Sequence, residues 1–363
     1  MFNFAQNQPR EFIALQYLRG IAALLVVYFH SLLQLKGLSD VSDHFPLFGE
    51  SGVDIFFVLS GFVMWFTTYQ KHQSPGRFLQ KRLIRIVPLY WAATFLAAGV
   101  ALLLPQMLKS TSFDFYHFLS SLFFIPWPNP AYLIGSKPTI TPVIVPGWTL
   151  NYEIFFYLIF SVSLVFHKNL RLSLTATALF VLVGLRALSD TPGTFLKFYG
   201  DPIILEFLYG VLIAVIVTTR ATLKPIPALF IGGISFAAII ILDIMDPPID
   251  RAFSIGPMAA LLILSVASLE LSSKVPHISF LSKIGDASYS IYLTHIFTLV
   301  LARLVYKLLA LSGGLVNAYI FILFCITSST TIGYLAYRYY ERPILRRLKQ
   351  GPAIKDTSLI GQA

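Results

Sequence analysis

What most limits the fold of this chain is a recurrence: from Ile13 to Tyr337, apolar runs long enough to cross a bilayer follow one another with polar breaks between them. A helix needs about 20 such residues to span roughly 30 Å of hydrocarbon. Runs of that order lie at 13–35, 52–70, 86–105, 148–167, 170–188, 202–219, 225–243, 253–269, 287–309 and 315–337. About ten transmembrane helices are therefore expected, with 253–269 the marginal one and 113–126 too short to count. Composition agrees: 56% of residues are hydrophobic and only 12% charged, outside the soluble range. The expected fold class is all-α, a polytopic integral membrane protein in one membrane domain.

Charge sets the expected orientation. With the N-terminus in the cytoplasm, the inner loops and tails collect 18 of the 27 lysines and arginines, among them Arg10, Lys71, Arg220, Lys274 and Lys355. The outer side then holds Asp40, Asp43, Glu50, Asp190, Asp243, Asp246 and Asp250. The positive-inside rule favours both termini in the cytoplasm. The net charge of +10 is then explained by an anionic membrane surface, and no nucleic-acid partner is inferred from it. A single cysteine, Cys325, excludes an internal disulfide and a cysteine-based metal cluster. The first span lacks a cleavage site and is expected to remain as an anchor. The segment 106–147, with prolines from IPWPNP to KPTITPVIVP, is expected to form an irregular outer cap, and the tail from 348 to 363 to be disordered.

Polar residues inside spans are costly and mark function by default. The first span carries two, Arg19 and His30. Eleven residues are about three helical turns, so both side chains face one side of the helix roughly 16 Å apart in depth. Asp54 in the second span (SGVDIFFVLSGF) and Glu153 in the fourth (WTLNYE) are expected at a depth comparable with His30. A histidine and two carboxylates converging there would make a buried base with an orienting acid. Thr149, Glu153 and Tyr157 repeat at i, i+4 and i+8 on one face. At the cytoplasmic boundary Arg82 and Arg85 share a helical face. Their planar forks suit a cytoplasmic anion with several phosphates, to which Lys81 adds charge. In the ninth span Ser288, Tyr292 and His295 line one face. Glu341 and Arg342 directly precede Pro343 where the chain is expected to leave the membrane. Each also has a structural explanation: snorkelling for Arg19, topology for the arginine pair, helix packing for Tyr292 and His295.

Taken in order, these segments resemble acyltransferase family 3, membrane-bound O-acyltransferases of bacterial surface polysaccharides. The resemblance runs from about Phe12 to Arg347. It is carried by Arg19 and His30, by SGVDIFFVLSGF with Asp54, by the RxxR pair Arg82 and Arg85, by WTLNYE with Trp148 and Glu153, and by SYSIYLTH ending at His295. Among subtypes the chain is most similar to exopolysaccharide acetyltransferases. The added extracytoplasmic hydrolase-like domain of some members is not expected here.

The resemblance implies a multi-pass protein of the bacterial inner membrane. Cytoplasmic acyl-CoA, most commonly acetyl-CoA, would be co-substrate without a metal, and a glycan or lipid-linked sugar hydroxyl the acceptor, with membrane lipid and polysaccharide biosynthesis machinery as further partners. Arg82, Arg85, Lys81, Tyr292 and His295 are expected to bind the cofactor, and His30, Asp54, Glu153 and Arg19 to carry catalysis. In that arrangement the thioester arm extends up the bundle from the arginines to His30. Asp54 or Glu153 would hold the imidazole in one tautomer. Direct transfer and an acyl-histidine intermediate remain open. A proton-coupled transporter and a non-catalytic subunit of a polysaccharide export complex are the rival readings.

Overall fold

The computed structural model describes residues 12–36, 38, 40–69, 73–105, 112–132, 139–219, 221–272, 275–309 and 314–349. Arg10, Lys71, Arg220, Lys274, Lys355 and residues 350–363 lie outside them, as does part of the segment 106–147. The described residues form a helical bundle. Its helices are α1 (Ile13–Lys36), α2 (Gly52–Tyr69), α3 (Pro75–Leu103), α4 (Phe115–Leu122), α5 (Trp148–Ser163), α6 (Lys168–Ala187) and α7 (Thr194–Tyr199). They continue with α8 (Leu205–Thr218), α9 (Pro225–Met245), α10 (Arg251–Ser272), α11 (Ser279–Asp286), α12 (Ser288–Leu308), α13 (Leu315–Ala336) and α14 (Arg342–Lys349).

All ten expected apolar segments are helical. Eight of the described helices are long and apolar enough to cross a membrane: α1, α2, α3, α6, α9, α10, α12, and the continuous stretch from α13 through α14. The other two, α5 and α8, have 16 and 14 residues. Helix α3 begins earlier than expected, at Pro75, whose fixed φ and missing N–H suit a first turn. Arg82 and Arg85 consequently sit within a helix that continues past them. Between α13 and α14, Tyr337–Glu341 form a π-turn, and it brings Glu341 inward, where it accepts a hydrogen bond from Ser290 Oγ at 2.5 Å.

Small residues let the central helices touch. At the α2–α8 crossing, a Cβ on Gly61 would lie 1.9 Å from the Phe207 carbonyl oxygen, and one on Gly210 would lie 1.9 Å from that of Val58. Each glycine is a notch for the other helix's backbone, the device by which membrane helices gain dispersion contact. Ile55, Val58 and Phe207 are fully buried there. At the periphery α9 buries only Ala228, Ser235 and Ile239, while Leu229, Phe230, Ile234 and Ile241 are exposed, as a lipid-facing helix requires.

The described part of 106–147 is not an irregular cap alone. Asp114 caps α4 by accepting from the His117 N–H at 2.7 Å. The helix then folds back along α3: Phe118 packs 5.4 Å from Phe95, the Trp91 indole N–H donates to the Leu122 carbonyl at 2.9 Å, and the Tyr90 hydroxyl donates to that of Ser121. Trp91 lies about 18 Å of helical rise before the end of α3, so α4 lies beside α3 and not above its end.

Candidate active site

Helices α1, α2, α3, α5 and α12 enclose a cavity with about 810 Å³ of unfilled space, its mouth included. Arg19, Arg82 and Arg85 line it together with Ser60, Thr149, Glu153, Tyr157, Tyr289 and Tyr292; Phe56, Phe57, Leu59, Val63, Met64 and Ile86 supply apolar wall. The stripe Thr149, Glu153, Tyr157 faces the cavity along its whole length because all three share one face of α5.

Three guanidinium groups meet in this space. Arg19 donates to Gln16 Oε1 at 3.2 Å, and Arg85, Glu153 and Glu341 are the nearest charges acting on it. Arg82 lies over the rings of Phe78 and Tyr157, 5.5 and 6.0 Å from their centroids, and its Nε–H is buried without an acceptor. With Glu153 and Glu341 as the opposing carboxylates, the cluster keeps one net positive charge. Glu153 accepts from Ser60 Oγ at 3.1 Å and from the Tyr157 hydroxyl. It thus belongs with the arginines and these hydroxyls, not with His30. Lys81 is exposed and does not line the cavity.

His30 stands apart from both expected carboxylates. Its Nδ1 is 2.9 Å from the Val26 carbonyl. A carbonyl only accepts, so Nδ1 carries the proton and the lone pair of the neutral ring is on Nε2. The tautomer is therefore set by the backbone one turn earlier in the same helix. The ring packs 4.9 Å from that of His295, which is fully buried. His295 repeats the pattern: Nδ1 donates to the Tyr292 carbonyl at 2.5 Å, and Nε2 is buried with no hydrogen-bond partner. Neither histidine lines the cavity. Tyr292 lies between, lining the cavity and packing 6.0 Å from His295. Its hydroxyl is 2.9 Å from Thr149 Oγ1 and donates to the Pro146 carbonyl at 3.0 Å, and Phe56 packs edge-on against its ring.

Asp54 is fully buried in the first turn of α2, where it is paired with Arg251, from Nε at 3.3 Å and through NH2; NH1 of Arg251 reaches Glu50 at 2.6 Å. The expected Asp54–His30 contact is replaced by this ion pair, because α10 starts at Arg251 directly beside the start of α2. Glu206, also fully buried, lies against Asp54 with no donor on either oxygen. Arg251, Glu206, Tyr289 and the inward Glu341 were not among the residues singled out for the site. Only Glu341 had a local signal, in the charged pair preceding Pro343.

Fold and site together define a polytopic helical membrane protein with a basic internal cavity beside a pair of packed imidazoles. Residues 12–349 match the family model described as an acyltransferase domain, and the chain belongs to that family. It is 37% identical over 312 residues to exopolysaccharide production protein ExoZ of Rhizobium meliloti (strain 1021), covering 84% of this chain and 92% of that one. It is also 32% identical over 165 residues to protein 2 in the picA locus of Rhizobium radiobacter, covering 41% of this chain and 81% of that protein. No solved structure matches it.

Proposed function

We propose that this protein moves an acyl group, in the first instance acetyl, from cytoplasmic acyl-CoA to a hydroxyl of an exopolysaccharide, either during export or on its lipid carrier, in the bacterial inner membrane. The observation that carries the reading is the cavity itself. Three arginines line it, and so does Tyr292, the neighbour of His295 and through it of His30.

Arginine forks bind phosphate oxygens in pairs, and the free Nε–H of Arg82 is a donor awaiting an acceptor. The narrow pantetheine arm would pass the hydroxyls of Ser60 and Tyr157, so the nucleotide need not enter the hydrocarbon. Tyr292 and Phe56 turn aside to admit the thioester to the imidazoles. His30 Nε2 then either takes the proton of the sugar hydroxyl as that oxygen attacks the thioester carbon, or attacks that carbon itself. In both routes the C–S bond breaks, the O–C bond is made, and the proton lost by the sugar ends on the coenzyme A sulfur. Arg19 opposes negative charge developing in the cavity. Asp54 anchors α2 to α10 and takes no part in the proton transfer.

The test is acyl transfer by purified protein in nanodiscs, with radiolabelled acetyl-CoA and the polysaccharide of the strain. His30→Ala abolishes transfer in a folded protein; substantial residual transfer removes His30 from the chemistry. Arg82→Ala with Arg85→Ala weakens acetyl-CoA binding on the order of 100-fold, as expected for two lost charge-assisted contacts. Unchanged affinity returns both residues to a topological role.

A further inference from the structure

We infer that His295 is the proton partner of His30, so that the two imidazoles work as one base; this rests on the reading above. A histidine that accepts a proton in a membrane interior becomes a buried cation and needs an acceptor for its N–H. Carboxylates usually fill that place, but here Asp54 is held by Arg251, and Glu153 by Ser60 and Tyr157.

What lies beside His30 is a second ring with the same wiring. Both Nδ1–H groups are spent on backbone carbonyls of their own helices, Val26 and Tyr292, so each Nε2 has its lone pair free. The Nε2 of His295 is fully buried and unpartnered, in a ring whose centroid lies 4.9 Å from that of His30, an anomaly for a polar atom unless a proton is to arrive there. The one charge acting on His295 is that of His30, and no charged side chain of α1, α2, α12 or α13 acts on His30. From α12 the other titratable group facing the pair is Tyr292, whose hydroxyl is engaged by Thr149 and Pro146; α2 presents Phe56.

In the reaction, the hydroxyl proton moves to His30 Nε2 as the sugar oxygen attacks. The resulting N–H donates to the lone pair of His295 Nε2, which spreads the charge over two rings. The proton then passes to the departing thiolate, and both rings return to neutral. His295 touches His30 and not the thioester, which makes it a positioning and proton-sharing residue. Cofactor binding, the role expected for it from sequence, is thereby replaced.

The experiment is a ring-¹⁵N titration of the seven histidines in nanodisc-embedded protein without substrates, beside kinetics of the same variants. His295→Asn keeps a donor for the Tyr292 carbonyl and removes Nε2. The titration of His30 then moves to lower pH by about one unit, the size of one lost hydrogen bond to a charged group. An unmoved His30 overturns the proposal. If His295→Asn does not fold, His30→Asn gives the reciprocal reading, because coupling between two sites is mutual. His295 must then shift likewise, and its failure to do so overturns the proposal equally. Kinetically, His295→Asn lowers kcat on the order of 100-fold and moves the acid limb of the rate profile to lower pH, with KM for acetyl-CoA held within about threefold. A raised KM with unchanged kcat assigns His295 to cofactor binding and refutes the inference. The titration is independent of transfer: a protein that moves no acyl group but shows the coupled shift rejects the proposed function and keeps the histidine pair.

Discussion

Replacing Arg251 by methionine isolates the ion pair at the first turn of α2. The guanidinium supplies two contacts to Asp54, which has 0% exposure, and one to Glu50, whose side chain is 44% exposed. The Glu50 contact is open to water and contributes about 0–1 kcal/mol. Asp54 is different: without Arg251 it is a buried carboxylate with no cation, packed against a second buried carboxyl group, that of Glu206. Breaking a buried pair from one side costs about 3–5 kcal/mol, a factor of roughly 10² to several times 10³ in the folded-to-unfolded ratio. Asp54→Asn combined with Arg251→Met removes both charges, and should recover at least about 2 kcal/mol of that loss. The assay is equilibrium unfolding in mixed micelles of the wild type, both single variants and the double variant. Acetyl transfer is measured per folded molecule alongside. An Arg251→Met cost below about 1 kcal/mol would show that the pair does not hold α2 to α10. If Asp54→Asn instead lowered kcat while leaving stability unchanged, Asp54 would belong with His30 after all.

Three further outcomes are expected. Gly61→Ala and Gly210→Ala each place a methyl 1.9 Å from a carbonyl oxygen across the α2–α8 crossing and should destabilise by about 1–3 kcal/mol in the same unfolding assay; a neutral result would mean that the helices are not in contact there. His117, on α4, is buried with its Nε2–H on the Thr141 carbonyl at 2.8 Å, and burial lowers its pKa. The unfolded chain then takes up the proton first, so the stability of this segment is full above the ordinary histidine value of about 6.5 and declines as pH falls below it. Hydrogen exchange of residues 115–122 across that range reads the effect, and His117→Gln should flatten it. Finally, membranes carrying the protein should consume acetyl-CoA and release thiol only when polysaccharide is supplied. A carrier would show no such consumption, and a non-catalytic export subunit would tolerate His30→Ala in glycan acetylation.

Much of the bundle is legible residue by residue because a helix closes its hydrogen bonds locally. The ten apolar runs lie on helices, and the stripe Thr149, Glu153, Tyr157 faces one cavity, since the period of 3.6 residues puts side chains on a face without help from the rest of the chain. Arg19, marked by its cost in hydrocarbon, reaches the same cavity as Arg82 and Arg85, marked by their shared helical face. The early start of α3, at Pro75 rather than at 86, was not read from the sequence.

Partnership between helices was not. Depth can be counted along each span, and by depth Asp54 and Glu153 were suitable neighbours for His30; rotation about each axis and the order of helices round the bundle decide which groups meet. Close packing at Gly61 and Gly210 and the junction of α2 with α10 turn Asp54 to an arginine 197 residues away. Helix α12 turns His295 to His30. The chain's own chemistry therefore determines that it lives in the membrane as helices carrying buried arginines and histidines. Tertiary structure alone decides which charge neutralises which, because that choice is made by contacts between helices far apart in sequence, where no local periodicity reaches.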